Sequence, residues 1–115
     1  FILAADIEKL AKTSEIQKLL ATFGFEDELT RSAVKKVRSG IGKLRGRKYK
    51  RRKGILIVVG EDCPLLNSAR NVPGIDAVIV NALNAELLAP GTHPGRVTLW
   101  TESAINKLQE KRLFI

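Results

Sequence analysis

Ile55-Leu56-Ile57-Val58-Val59 is the stretch that decides the fold. All five residues are apolar and four are β-branched. A strand with one wet face alternates apolar and polar residues. A strand apolar on both sides is covered on both, as at the centre of a parallel sheet. Downstream, Gly60-Glu61-Asp62-Cys63-Pro64 turns into a short helix that reaches Arg70, and Asn71-Val72-Pro73-Gly74 is turn chemistry. Asp76 to Val80 reads as another strand, Asn84 to Leu88 as one helical turn, and Ala89 to Gly95 as a rigid Pro/Gly loop. Arg96 to Trp100 is a further strand. Thr101 then caps a last helix with Glu102 at its front and Lys107, Lys111 and Arg112 toward its end, where each charge suits the helix dipole. Ala104, Ile105 and Leu108 are its core face.

Upstream, Phe1 to Ala5 is a short apolar strand, and Ile7, Leu10 and Ala11 follow at helical spacing. Ser14-Glu15-Ile16-Gln17 fits a capping box, Ile16, Leu19, Leu20 and Phe23 form one stripe, and Gly24 is a natural stop. Phe25 to Lys36 reads as a second short helix with acids at its front. Strands alternating with helices predict a three-layer α/β/α fold: a mostly parallel four-stranded, Rossmann-like sheet in a single domain spanning 1–115.

One segment stands outside this pattern. Arg31 to Lys53 reads RSAVKKVRSGIGKLRGRKYKRRK, with twelve of the chain's twenty basic residues and no acid. The rest has eight basic residues against twelve acids, so the net +8 is the work of this run. Such a block repels itself unless an anion neutralises it. Gly40, Gly42, Gly46 and Gly54 punctuate it, which predicts an irregular path and close backbone approach to phosphate. Tyr49, the only tyrosine, sits among cations, where a ring can stack on an unpaired base. The run lies between ordered elements, unlike a solvated tail or import signal. We expect 31–54 to bind nucleic acid, with RNA favoured because no recognition helix is visible.

Other chemistries find little support. The strand ends lack a glycine-rich phosphate loop. Gly40-Ile41-Gly42-Lys43 precedes a strand and has no Ser or Thr after the lysine, so a nucleotide-binding or enzymatic Rossmann-like module is the weaker alternative. Cys63 has no basic partner nearby in sequence, and Glu61 and Asp62 beside it oppose thiolate formation; it reads as a packing residue. One His and one Cys cannot build a zinc site. Glu61, Asp62 and Glu102 read as helix-front acids before they read as a cation site, and Trp100 as core. No metal, cofactor or small-molecule substrate is expected. No apolar run approaches the ~18–20 residues of a membrane span. The opening lacks the basic leader of a signal peptide, one cysteine suits a reducing cytosol, and without any Met we expect residues ahead of Phe1.

Three stretches together resemble the large-subunit ribosomal protein L-four family in its archaeal and eukaryotic form. They are Ser39-Gly40-Ile41-Gly42-Lys43-Leu44-Arg45-Gly46-Arg47-Lys48-Tyr49-Lys50 leading to Gly54 and ILIVV; Ala69-Arg70-Asn71-Val72-Pro73-Gly74-Ile75-Asp76; and Leu88-Ala89-Pro90-Gly91-Thr92-His93-Pro94-Gly95-Arg96 running into LWTESAI. The resemblance covers nearly the whole chain and corresponds to the C-terminal half of such proteins. The long tunnel-reaching extension of the family has no counterpart here. The resemblance implies a structural, non-enzymatic protein on cytoplasmic ribosomes, with large-subunit rRNA and neighbouring ribosomal proteins as partners. The expected RNA contacts are Lys36, Arg38, Lys43, Arg45, Arg47, Lys48, Tyr49, Lys50, Arg51, Arg52 and Lys53, with Gly40, Gly42 and Gly46 shaping the path. His93 and Arg96 are expected to make a second, smaller contact. The acidic strand ends such as Glu61-Asp62 should face solvent or basic neighbours.

Overall fold

In a computed structural model, which describes residues 1–114, the apolar runs become the strands expected of them. In chain order the elements are β1 (Ile2–Leu3), α1 (Thr13–Thr22), α2 (Glu26–Ala33), β2 (Lys35–Val37), β3 (Tyr49–Arg51), β4 (Leu56–Val59), α3 (Pro64–Arg70), β5 (Asp76–Ile79), α4 (Ala85–Leu88), β6 (Thr98–Thr101) and α5 (Glu102–Glu110). Four strands form a parallel sheet in the order β1-β6-β4-β5. Leu56 pairs with Asp76 on one side and Thr98 on the other, which places β4 inside the sheet. Two strands, β2 and β3, stand apart as an antiparallel pair.

The unbroken apolar character of ILIVV has a simple cause: both of its faces are covered. Ile55, Ile57 and Val59 pack with Leu3 and Leu99 against Ile16 and Leu20 of α1 and Leu65, Leu66 and Ala69 of α3. Leu56 and Val58 join Val78, Val80 and Leu83 under Ala104 of α5, with Leu87, Trp100 and Leu108 at the margin. The result is three layers. Each fully buried Ile, Leu or Val contributes on the order of 1.5–3 kcal/mol. Edge strand β5 is protected in part by Arg70, whose Nε donates to the Ala77 carbonyl at 3.2 Å.

Four helix ends follow local chemistry, and one expected cap does not. Gly24 (φ +84°) closes α1, donating to the Ala21 carbonyl at 2.9 Å. Pro64 opens α3. Asn84 Oδ1 accepts from the Leu87 amide at 2.9 Å, and Thr101 Oγ1 from the Ala104 amide at 3.4 Å. The exception is the capping box at Ser14. Helix α1 begins at Thr13, so Ser14 already has helical backbone, and Lys12 at the cap position offers no side-chain bond. Residues Ala5–Lys9 form a 3₁₀ turn instead of an α-helix, yet Ile7 and Leu10 still reach the core. The second helix ends at Ala33, earlier than Lys36, because Val34 is extended (ψ 116°) and leads into β2.

The chain enters and leaves the β2–β3 pair through a tight knot. Gly54 N donates to the Gly74 carbonyl at 2.8 Å. Ser32, buried at the end of α2, donates from Oγ to the Pro73 carbonyl at 3.1 Å. Gly74 has φ +79°, and a Cβ there would overlap the Ser32 side chain and lie 3.1 Å from the Arg52 carbonyl. Gly24 has the same backbone conformation with open space around it. Urea denaturation therefore separates the two effects. Gly24→Ala should cost about 1 kcal/mol, from backbone strain alone. Gly74→Ala should cost on the order of 2–4 kcal/mol, because overlap is added to strain. Equal losses would show that the knot yields without resistance.

Candidate nucleic-acid interface

Sequence patterning favours an irregular basic segment; the structure makes it a hairpin arm. Lys35 faces Arg51, Lys36 faces Lys50, and Val37 faces Tyr49 across the β2–β3 ladder. The ladder continues through Arg38 N, which donates to the Lys48 carbonyl at 2.7 Å. The pleat puts Lys36 and Lys50 on one face and Lys35, Val37, Tyr49 and Arg51 on the other. Lys35 Nζ accordingly sits 3.7 Å from the centre of the Tyr49 ring, a cation–π contact that holds the ring in place. Only the tip is irregular. Ile41–Lys43 is a 3₁₀ turn, and the Arg45 and Arg47 amides both donate to the Gly42 carbonyl, at 3.2 and 3.1 Å. Gly40 (φ +85°) and Gly46 (φ +77°) supply the left-handed backbone at either end of this turn. At Gly42 a Cβ would press on Arg38 Cδ at 3.0 Å, and Arg38 Nε donates to the Arg47 carbonyl at 3.1 Å. Arg38 thus braces the tip from within.

Charge on the arm is almost uncompensated. Of the twelve cations from Arg31 to Lys53, two are paired with acids, and both lie at the root. Arg31 forks onto Glu28 at 2.8 and 2.5 Å and donates to the Lys53 carbonyl at 2.7 Å. Lys53 Nζ meets Asp76 Oδ2 at 2.9 Å. The other ten have no acidic partner among the described residues. Like charges directly opposite one another in a ladder are destabilising, and this hairpin contains two such pairs, Lys35–Arg51 and Lys36–Lys50. Apolar side chains are exposed beside the cations, most of all Leu44 at the tip (82%) and Ile41 (64%).

Arg96 occupies a different role from the one its sequence context predicts. Its side chain is 4% exposed. Nε donates to the Gly54 carbonyl at 2.7 Å, Nη1 to the Leu87 carbonyl at 2.8 Å, and Nη2 to Asp76 Oδ2 at 2.6 Å and the Ile55 carbonyl at 3.4 Å. Four of the five guanidinium N–H groups are engaged in this way and the side chain is buried, so Arg96 is a brace joining the arm's root to the sheet and α4 more than a ligand group held out to an RNA phosphate. His93 is exposed on the Pro/Gly loop. Lys36, Lys43, Arg45, Arg47, Lys48, Tyr49, Lys50, Arg51 and Arg52 are all exposed on the arm. Lys35, Ile41 and Leu44 share that surface without being among the individually expected contacts; Lys35 was legible only as one cation of the basic run, and nothing in the sequence singled out Ile41 or Leu44.

The strand ends offer no rival chemistry. No group of three or more His, Cys, Asp or Glu able to hold a metal occurs among the described residues. Burial first, then Glu8 and Asp62, push the half-buried Cys63 thiol up, against the pull of backbone hydrogen bonds, which leaves it a poor nucleophile. Glu61 is exposed and lies 3.5 Å from Lys107, which also donates to the Gly60 carbonyl.

These features define a parallel α/β scaffold that carries a cationic hairpin. A sequence model of the Ribosomal protein L4/L1 family matches residues 2–111, and the chain belongs to that family. It is 50% identical over 110 residues to the large ribosomal subunit protein uL4 of Methanococcoides burtonii, covering 95% of this chain and 44% of that protein. The protein of the same name from Methanospirillum hungatei is 50% identical over 109 residues, 94% of this chain and 43% of its own length. The chain thus spans less than half the length of these relatives, which are named as ribosomal proteins and not as enzymes.

The Asp76 node gives the arm's root a pH dependence. Burial alone would raise the Asp76 carboxyl, but Lys53 and Arg96 outweigh it and hold the group below its ordinary 3.8. A depressed folded-state value means the native state holds fewer protons than the unfolded chain near and below pH 4. The stabilisation is complete above that range and is lost as pH falls through it. Urea midpoints measured from pH 7 down to about 2.5 should drop in this window, and Asp76→Asn should be less stable at pH 7 and show a shallower drop. An Asp76→Asn profile parallel to the parent's would assign the acid sensitivity elsewhere, for instance to Glu28, which its Arg31 hydrogen bond also holds low.

Proposed function

We propose that this chain is a structural element of the large ribosomal subunit that binds and stabilises rRNA through the basic arm. One observation carries the reading: ten cations, gathered on a projecting hairpin, lack any acidic partner in the described structure. RNA helices cannot approach each other until their phosphates are neutralised, and a dense, preformed cationic finger does that. In this reading 1–115 acts as one folding unit with 31–54 as its binding segment. Arg45, Arg47, Arg51 and Arg52 give forked contacts to phosphates or base edges. Lys36, Lys43, Lys48, Lys50 and, with part of its charge held by Asp76, Lys53 act as point charges. Arg38, Gly40, Gly42 and Gly46 keep the tip in shape, and Tyr49 offers its ring to an unpaired base or a sugar. His93 makes a smaller contact from its loop, while Arg96 contributes indirectly by holding the root. Membership in a ribosomal protein family supports large-subunit rRNA and adjacent ribosomal proteins as the partners and the cytoplasmic ribosome as the location. No cofactor or small-molecule substrate enters this mechanism.

A titration against an rRNA fragment tests the mechanism. If about eight phosphates are neutralised, log affinity falls with log salt at a slope of roughly −6 to −7. A slope near zero would sink the proposal, because binding would then owe little to the arm's charge.

A further inference from the structure

A groove of about 810 Å³ opens between the root of the arm and the α4 loop. Lys50, Arg51 and Arg52 line one wall; Asn84, Pro90 and Gly91 line the other. Its floor is the Arg96–Asp76–Lys53 node. We propose that this groove is a second nucleic-acid site, which seats the sugar-phosphate backbone of a single strand running past the arm. The proposal rests on the reading of the arm as an RNA-binding element and extends it to a surface outside the basic run.

Three features support a strand as the occupant. The volume lies within the ~300–1,000 Å³ of pockets that hold small organic ligands, enough to seat part of a strand. The charge suits phosphate: Asp76 is neutralised by two cations, whereas Arg51 and Arg52 have no acidic partner in the described structure and end in forks that match phosphate oxygens. The far wall is uncharged where it lies nearest the loop, with Pro90 and Gly91 giving flat surface and bare backbone for a ribose; Gly91 has φ +69° and open space about it. The groove is also continuous with the arm through Lys50 and Arg51, both in or beside β3, so one strand can follow both. A single group opposes the anion: Glu86, exposed on the rim in the first turn of α4.

Backbone amide NMR shifts of the full chain test this. A short oligouridine strand should move the amides of Asn84, Glu86, Leu87 and Gly91 together with those of Ile41 to Leu44 at the tip. Arg51→Ala/Arg52→Ala should silence the first set, weaken the second without abolishing it, and reduce the salt slope by roughly two. Inorganic phosphate and uridine monophosphate at the same concentration should move neither set appreciably. Glu86→Gln should tighten strand binding by about two- to fivefold, the effect of removing one exposed like charge. Tip amides that move while 84–91 stay still overturn the groove and leave the arm intact. Silence in both sets overturns the arm reading and the groove with it. Equal shifts with free phosphate, or an unchanged Glu86→Gln affinity, would reduce the groove to a general anion sink and also overturn it.

Discussion

Lys35 opposite Arg51, and Lys36 opposite Lys50, set the constraint on which the remaining structure depends. Two strands with such pairs push each other apart, and three-residue strands have few ladder bonds with which to resist. The arm must therefore be held by its ends. Its root supplies the hold: Arg31 forks onto Glu28, Lys53 and Arg96 share Asp76, and Gly54 and Gly74 bring two chain segments into backbone contact over Ser32. Acids meet the arm's cations only where it joins the body, at Glu28 and Asp76, and are absent along its length. That distribution anchors the hairpin while leaving its charge available.

The body is built to make that anchorage stiff. β4 follows the arm almost immediately, and it is the most thoroughly buried strand of the sheet, packed on both faces. Movement at Gly54 would have to propagate into a close-packed core, which deforms at high cost. Arg96 extends the restraint sideways, tying the same point to the Leu87 carbonyl of α4. The wall of the groove and the root of the arm are therefore held by a single side chain. An arm aimed by a rigid sheet loses little freedom on meeting its partner, and binding is correspondingly less costly.

Most of the sheet was legible in the sequence because burial writes itself into composition. ILIVV and DAVIV are apolar runs between turn signals, and both became strands in the expected parallel order. The arm's regularity was hidden for the opposite reason. Lysine and arginine are indifferent strand formers, the strands are three residues long, and Gly40, Gly42 and Gly46 speak for a loop; the pairing comes from closure at the root, which no local pattern reports. Arg96 was misjudged because its acceptors lie far away in sequence: Gly54 is 42 residues away and Asp76 is 20. A cation in a Pro/Gly loop looks like a free ligand group until the fold delivers its partners. The Ser14 capping box matched in residues yet failed in register, since the helix had already begun at Thr13.

Large-subunit assembly offers the most direct test of the central claim that unpaired arm cations bind rRNA. The chain should cosediment with the large subunit and protect a defined stretch of rRNA from hydroxyl-radical cleavage. The triple variant Lys43→Ala, Arg45→Ala, Arg47→Ala should keep its circular dichroism and lose both cosedimentation and protection. Protection by the variant equal to that of the parent would contradict the account.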